Sequence, residues 1–109
     1  MTRLSDRSCE HQSGAALTSS ESLALLAEVP GWLLSAEATT IEREFRFADY
    51  YETIAFVNAV AWVVHAQDHH PDLEVRYNRC RVRFSTHSVK GLSENDFICA
   101  ARINAMLPP

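Results

Sequence analysis

Cysteine is scarce in this chain, and its arrangement excludes more than its number does. Cys9, Cys80 and Cys99 are an odd count with no Cys-x-x-Cys pair, so neither a disulfide framework nor a zinc ribbon is expected. Free thiols in a reducing cytoplasm fit that pattern. Long apolar runs are missing too: none approaches the length of a bilayer-spanning helix. The charged start, Met1 to Arg7, lacks the apolar segment of a secretory signal. Excess positive charge is absent as well. With 10 Lys and Arg against 14 Asp and Glu the formal charge is −4, which does not favour a nucleic-acid surface. No internal repeat or low-complexity segment is visible. What remains, 109 residues of which 47% are hydrophobic, suffices for one cytoplasmic domain with a modest core.

Residues 1–16 are polar and aperiodic and read as a mobile, disordered tail ahead of a single domain over 17–107. Thr18 and Glu21 have the spacing of a capping box, with Leu17 placed to pack back on the first turn. The helix they open, Ser19 to about Glu28, is expected to bury Leu23, Leu25 and Leu26 and to stop at Pro30-Gly31. Trp32 to Phe47 reads as two strands joined by a turn at Ala36-Glu37-Ala38. Ile41, Phe45 and Phe47 share one parity; Glu42, Glu44 and Arg46 share the other. Arg43 falls on the apolar parity, which suits an edge position or snorkelling. A second box, Asp49 and Glu52, opens a helix to about Asp68 that is apolar nearly all round. A stripe of Ile54, Val57, Ala61 and Val64 is expected to face the sheet. Phe56, Val60 and Val63 are left pointing elsewhere, and another subunit is expected to cover that side.

Pro71 ends helical structure and holds His70 extended. Leu73, Val75 and Tyr77 then alternate with Glu74 and Arg76, Asn78-Arg79 turns, and Cys80, Val82 and Phe84 alternate with Arg81 and Arg83. This is a hairpin whose arginines pair with Glu74 or Glu42. Ser93 to Asp96 forms a third capping box, stapled by Leu92 against Phe97, and opens a helix to about Met106. Pro108-Pro109 ends the chain. The order α-β-β-α-β-β-α is an α+β layout, a four-stranded antiparallel sheet with helices packed on one face.

Chemistry concentrates between His65 and Asp96. His65, His69, His70 and His87 lie in this stretch, and imidazole is the side chain that exchanges protons near neutrality. His65 and His69 have helical i, i+4 spacing, which suits a metal, but no His-Glu-x-x-His is present and no cysteine is near in sequence. A metal enzyme is therefore the third reading. Acid–base chemistry fits better: His69, His70 and His87 come from the ends of adjacent elements and can converge across a cleft. One neutral ring would take a proton while a protonated one delivers another, with Asp68 orienting a neighbour. Capping of a helix C-terminus is an equal account of His65. Asp96 stands at the third position of the last helix, where amide capping alone would explain it. Trp62 and Tyr77 read as core or interface, and Cys80 and Cys99 as small buried apolar residues.

In order and spacing, His65, His69-His70-Pro71, Tyr77, His87 and Asp96 resemble the motif of the pterin-4a-carbinolamine dehydratases, also called 4a-hydroxytetrahydrobiopterin dehydratases. Pro30-Gly31-Trp32, Ile41 to Phe47, Ser85-Thr86-His87 and Gly91-Leu92-Ser93-Glu94 resemble further phrases of that family, and the similarity spans about residues 17 to 104. Many relatives carry Glu at the place of His65 and Trp at that of Leu73. The resemblance implies loss of water from a 4a-hydroxytetrahydropterin to give the quinonoid dihydropterin, during tetrahydrobiopterin recycling beside an aromatic amino acid hydroxylase. It implies His69, His70 and His87 as the catalytic set, with Asp68, Pro71, Ser85, Thr86, Asp96 and His65 around the pterin. Neither metal nor organic cofactor is implied. Assembly into homodimers or homotetramers through sheet edges and helices is. The competing class is a non-catalytic protein, since some relatives are dimerisation partners of a transcription factor and others serve as assembly factors.

Overall fold

A computed structural model describes residues 2–107; Met1 and the Pro108-Pro109 ending lie outside the described residues. Helix α1 spans Ser19–Leu26, strands β1 and β2 span Leu33–Leu34 and Ile41–Arg46, and helix α2 spans Tyr50–Gln67. Strands β3 and β4 span Asp72–Val75 and Arg79–Phe84, and helix α3 spans Glu94–Met106. The expected α+β order is therefore present. All neighbours in the sheet are antiparallel, in the order β1-β2-β4-β3.

Alternation separates the two faces of the sheet. Ile41, Phe45, Cys80, Val82 and Phe84 are buried under the helices, where each fully covered large side chain is worth about 1.5–3 kcal/mol. On the other face, Glu42 lies opposite Arg83 and Glu44 opposite Arg81. Ion pairs run Arg83–Glu42 at 3.2 Å, Arg81–Glu42 at 3.4 Å and Arg81–Glu74 at 3.8 Å, as the pattern implied. Such exposed pairs keep the face wet and contribute little to stability.

Arg43, on the apolar face, is anchored from far along the chain. Its Nη1 donates to Asn104 Oδ1 at 2.8 Å and to the Pro30 carbonyl at 3.2 Å, and its guanidinium lies 4.5 Å over the Phe45 ring. Asn104 also accepts from Trp32 Nε1 at 2.9 Å, so one α3 amide ties down β2 and the residue that leads into β1. Gly31 makes this fit possible. Its φ is +90°, and a Cβ there would sit 2.8 Å from the Arg43 guanidinium.

Caps place the helices as expected at two of three starts. Thr18/Glu21 and Ser93/Asp96 are complete capping boxes. At α2, Asp49 accepts from Glu52 N, but the Glu52 carboxylate reaches Ala48 N, one residue ahead of the cap. The buried stripes differ from expectation. In α2 the inward residues are Thr53, Phe56, Val60 and Val64, a rotation from the stripe begun at Ile54. Ser22 is the buried residue of α1, whereas Leu23 is 57% exposed. The hairpin turn is one residue earlier than expected: Val75 pairs with Cys80 and Arg76 N donates to Arg79 O, leaving Tyr77-Asn78 at the tip. Tyr77 is accordingly exposed.

Residues 4–12 dock along α3, in contrast to the tail read from the composition of this stretch. Leu4, in a short 3-10 turn over Leu4–Asp6, enters the core. The Arg7 carbonyl accepts from Arg102 Nη2 at 2.6 Å, and Arg7 pairs with Glu94. Glu10 N donates to Asn95 Oδ1 at 3.1 Å while Asn95 Nδ2 returns a bond to the Glu10 carbonyl at 2.6 Å. This strap covers the side of α3 turned away from the sheet, which is why α3 is buried nearly all round.

Candidate active site

The site begins where α2 ends. Asp68 takes a left-handed conformation (φ 52°, ψ 42°), and its N–H and that of His69 bond back to the His65 and Val64 carbonyls. His69 therefore leaves the helix instead of extending it, so His65 and His69 do not share a helical face as the i, i+4 spacing implied. His65 stays exposed while His69 turns inward. Among the described residues, no group of three or more His, Cys, Asp or Glu side chains is arranged to hold a metal.

His69 stacks on Phe84, with ring centroids 5.7 Å apart and 10° between planes. Its Nε2 lies 2.6 Å from Asp96 Oδ1; its side chain is 12% exposed and that of Asp96 is 0% exposed. The other carboxylate oxygen accepts from Thr86 Oγ1 at 2.8 Å and from Ser93 N at 3.0 Å. Thr86 and Ser93 hydroxyls are 2.7 Å apart, and Ser93 Oγ accepts from Asn95 N. Asp96 thus closes the capping box of α3 with one oxygen and holds the histidine with the other.

Burial alone would lower the pKa of His69. The Asp96 hydrogen bond and charge, with smaller help from Cys9 and Asp68, outweigh it, and the net shift is upward. The proton is therefore kept further into neutral pH than on a free imidazole. Among the described residues no protein group bonds His69 Nδ1, so that nitrogen is the one left for other work.

A cavity of about 240 Å³ opens beside His69, with Asp68 and Thr86 on one wall and Cys9 to Gln12 of the strap on the other. A second cleft, of about 290 Å³, holds Ser85, Thr86 and His87. Thr86 lines both and stands between them. The three histidines of the expected set are thus not in one cavity: His69 lines the first, His87 the second, and His70 neither. His70 and His87 are exposed, and Pro71 and Ser85 half-buried. Asp96 and the Thr86 hydroxyl, expected near a substrate, are occupied by protein partners. Sequence reasoning missed the Phe84 platform, the Thr86–Ser93 link and the strap at the cavity wall, since these join residues far apart in sequence. The capping-box spacing was the one signal for Asp96, and it spoke for capping only.

The family model described as Pterin 4 alpha carbinolamine dehydratase matches residues 15–106. A relative from Stenotrophomonas maltophilia (strain K279a), provisionally named pterin-4-alpha-carbinolamine dehydratase, is 62% identical over 82 residues, 75% of this chain and 71% of its own length. One of the same provisional name from Xanthomonas campestris pv. campestris (strain 8004) is 65% identical over 79 residues, covering 72% of this chain and 67% of its own. Among solved structures, a transcriptional coactivator/pterin dehydratase from Brucella melitensis superposes with a TM-score of 0.79 at 34% identity, over 84% of this chain and 97% of that one. A pterin dehydratase-like RuBisCO assembly factor of the alpha-carboxysome gives a TM-score of 0.60 at 21% identity, over 70% and 88% of the two chains. That second likeness is one of fold alone.

Proposed function

The chain belongs to the pterin 4 alpha carbinolamine dehydratase family, and from that premise we propose that it removes water from a 4a-hydroxytetrahydropterin. The product would be the quinonoid dihydropterin, in tetrahydrobiopterin recycling beside an aromatic amino acid hydroxylase in the cytoplasm. The observation that carries this reading is the buried Asp96–His69 pair at the wall of a cavity, with the His69 pKa raised.

Dehydration breaks the C4a–O bond and forms a C=N bond to the adjacent ring nitrogen. That nitrogen must lose a proton and the hydroxyl must gain one to depart as water. His69, whose protonated form Asp96 favours, is the donor to the hydroxyl. The acceptor is a second imidazole, His70 next in sequence or His87 in the adjoining cleft, and the pterin must reach past Thr86, which lines both cavities, to meet His87. Such a group contributes about 10²–10⁴-fold. Asp96 is a positioning residue, fixing the ring and its tautomer from behind. The pterin lies against Pro71, with Ser85 at its polar edge, Thr86 as wall only because its polar groups are bonded within the protein, and Asp68 and His65 at the rim. The strap residues share the His69 cavity, so the substrate enters as they give way.

A second reading, a non-catalytic dimerisation or assembly partner, draws on a different surface. Trp62 on α2 is 78% exposed and Tyr51 is 83% exposed, and every residue of the edge strand β3 is exposed. We assign these surfaces to self-association as a homodimer or homotetramer, which serves either reading. The test is to mix the protein with freshly generated 4a-hydroxytetrahydropterin and follow ultraviolet absorbance. Acceleration over buffer that disappears in a His69→Ala, His87→Ala double variant supports the enzyme. Decay no faster than in buffer, or full rate in the double variant, favours the partner.

A further inference from the structure

We infer that Cys9 and Cys99 are a disulfide site, and that joining them fastens the N-terminal strap over the His69 cavity. The two Sγ atoms lie 3.6 Å apart, although the residues come from opposite ends of the chain. A disulfide needs about 2.0 Å, so roughly 1.5 Å must be closed. Cys9 can supply that movement, because residues 7–18 contain no helix or strand. The segment is nonetheless held in register on both sides. Cys9 N donates to Gln67 Oε1 at 2.8 Å, Arg102 grips the Arg7 carbonyl, and Asn95 and Glu10 exchange two bonds. Cys99, fully buried in α3, is the fixed partner.

The two sulfurs are chemically unequal. Cys9 is half-buried and Cys99 buried. The hydrogen bond from Cys99 lowers the Cys9 thiol pKa; burial opposes this, and His69 and Arg102 assist it. The same bond and burial push the Cys99 thiol up. Cys9, the sulfur an oxidant can reach, is therefore the attacking group and buried Cys99 the resolving thiol. With a peroxide as oxidant, the Cys9 sulfur attacks one oxygen, the O–O bond breaks, and Cys9 sulfenic acid and one water result. The Cys99 sulfur then attacks the Cys9 sulfur, the S–O bond breaks, and a second water leaves with the Cys99 proton. Two thiols and one peroxide become one disulfide and two waters. Cys80, buried in β4 with its thiol pushed up by burial, takes no part.

The bond would matter because Cys9 to Gln12 form one wall of the cavity that His69 lines. Hydrogen bonds alone allow that wall to lift; a covalent tie at Cys9 does not. Cys9 also lies ahead of residues 15–106, the span matched by the family model. The effect on turnover rests on the pterin reading of the cavity, whereas the bond and the closure do not.

The test treats the full chain with a small excess of hydrogen peroxide and maps it by mass spectrometry. Diethyl pyrocarbonate then reports how fast each histidine is modified. The expected result is an intramolecular Cys9–Cys99 peptide, a mass lower by two hydrogens, and reversal by dithiothreitol. His69 should react about tenfold more slowly after oxidation, measured against exposed His65 and His70, as strap opening becomes rarer. Cys9→Ser should show neither change, and Cys80→Ser should show both. Cys9 carried to sulfinic acid without a linked peptide, disulfides only between chains, or a linked peptide with His69 unprotected would each overturn the inference. A protein that latches and protects His69, but never accelerates dehydration when reduced, would sink the pterin reading and leave the latch standing.

Discussion

Replacing Asp96 by Asn keeps the shape of the site and removes its buried charge. The side-chain oxygen of Asn can still accept from Ser93 N and Thr86 Oγ1, the bonds now at 3.0 and 2.8 Å. The amide nitrogen then faces His69 Nε2 across what is a 2.6 Å contact. A protonated His69 would be left buried without a counter-charge, at a cost of several kcal/mol. The ring avoids most of that by giving up its proton, at about 1.4 kcal/mol per pH unit between its pKa and the solution. The net loss near pH 6 is therefore about 1.5–3 kcal/mol, the range of one hydrogen bond to a charged group.

The sign of the pH dependence is the sharper check. In the wild type the His69 pKa is raised above 6.5. Its stabilisation is complete below that pH and fades as pH rises through the folded value. In Asp96→Asn burial, which lowers the pKa, is opposed only by the smaller charges of Cys9 and Asp68, so the pKa drops and the variant loses stability as pH falls from 6.5 through its new folded value. The gap between the two proteins should be widest near pH 5.5 and narrow toward pH 8. Urea unfolding across that range measures the gap, and ¹⁵N shifts of the His69 ring report the pKa and the tautomer. An unchanged His69 pKa in the variant, or a gap that widens with pH, would refute the reasoning.

Gly31→Ala should destabilise the fold by about 1–3 kcal/mol in urea unfolding, because φ is +90° and the new Cβ meets the Arg43 guanidinium at 2.8 Å. An unchanged midpoint would show that the turn relaxes freely. Trp62→Glu places a charge on the exposed face of α2; sedimentation should show a smaller species than wild type, with the circular dichroism unaltered. Wild type and variant sedimenting alike would remove that face from the proposed assembly.

Local rules carried the sequence reading far where the cause lies within a few residues. Thr18 with Glu21, and Ser93 with Asp96, are capping boxes that the chain spells out directly, and the alternation around Ile41 and Phe84 assigns both faces of the sheet. The register of α2 was not legible. A helix apolar all round has no preferred side of its own, so tertiary packing chose Phe56, Val60 and Val64. Arg43 made sense only once Asn104 was placed beside it. The strap shows the same limit. Its composition is polar, yet Leu4 and paired bonds to Asn95 and Arg102 dock it on α3. At the candidate site, the clustered histidines single out the segment that follows α2, but the left-handed Asp68 decides which ring turns inward.

The most direct measurement is the rate at which His69→Ala dehydrates 4a-hydroxytetrahydropterin beside the wild type, with both shown to be folded by circular dichroism. The account expects the wild type to accelerate the reaction over buffer and the variant to lose about 10²-fold or more of that acceleration. A variant within a few-fold of wild type would place the chemistry somewhere other than the Asp96–His69 pair.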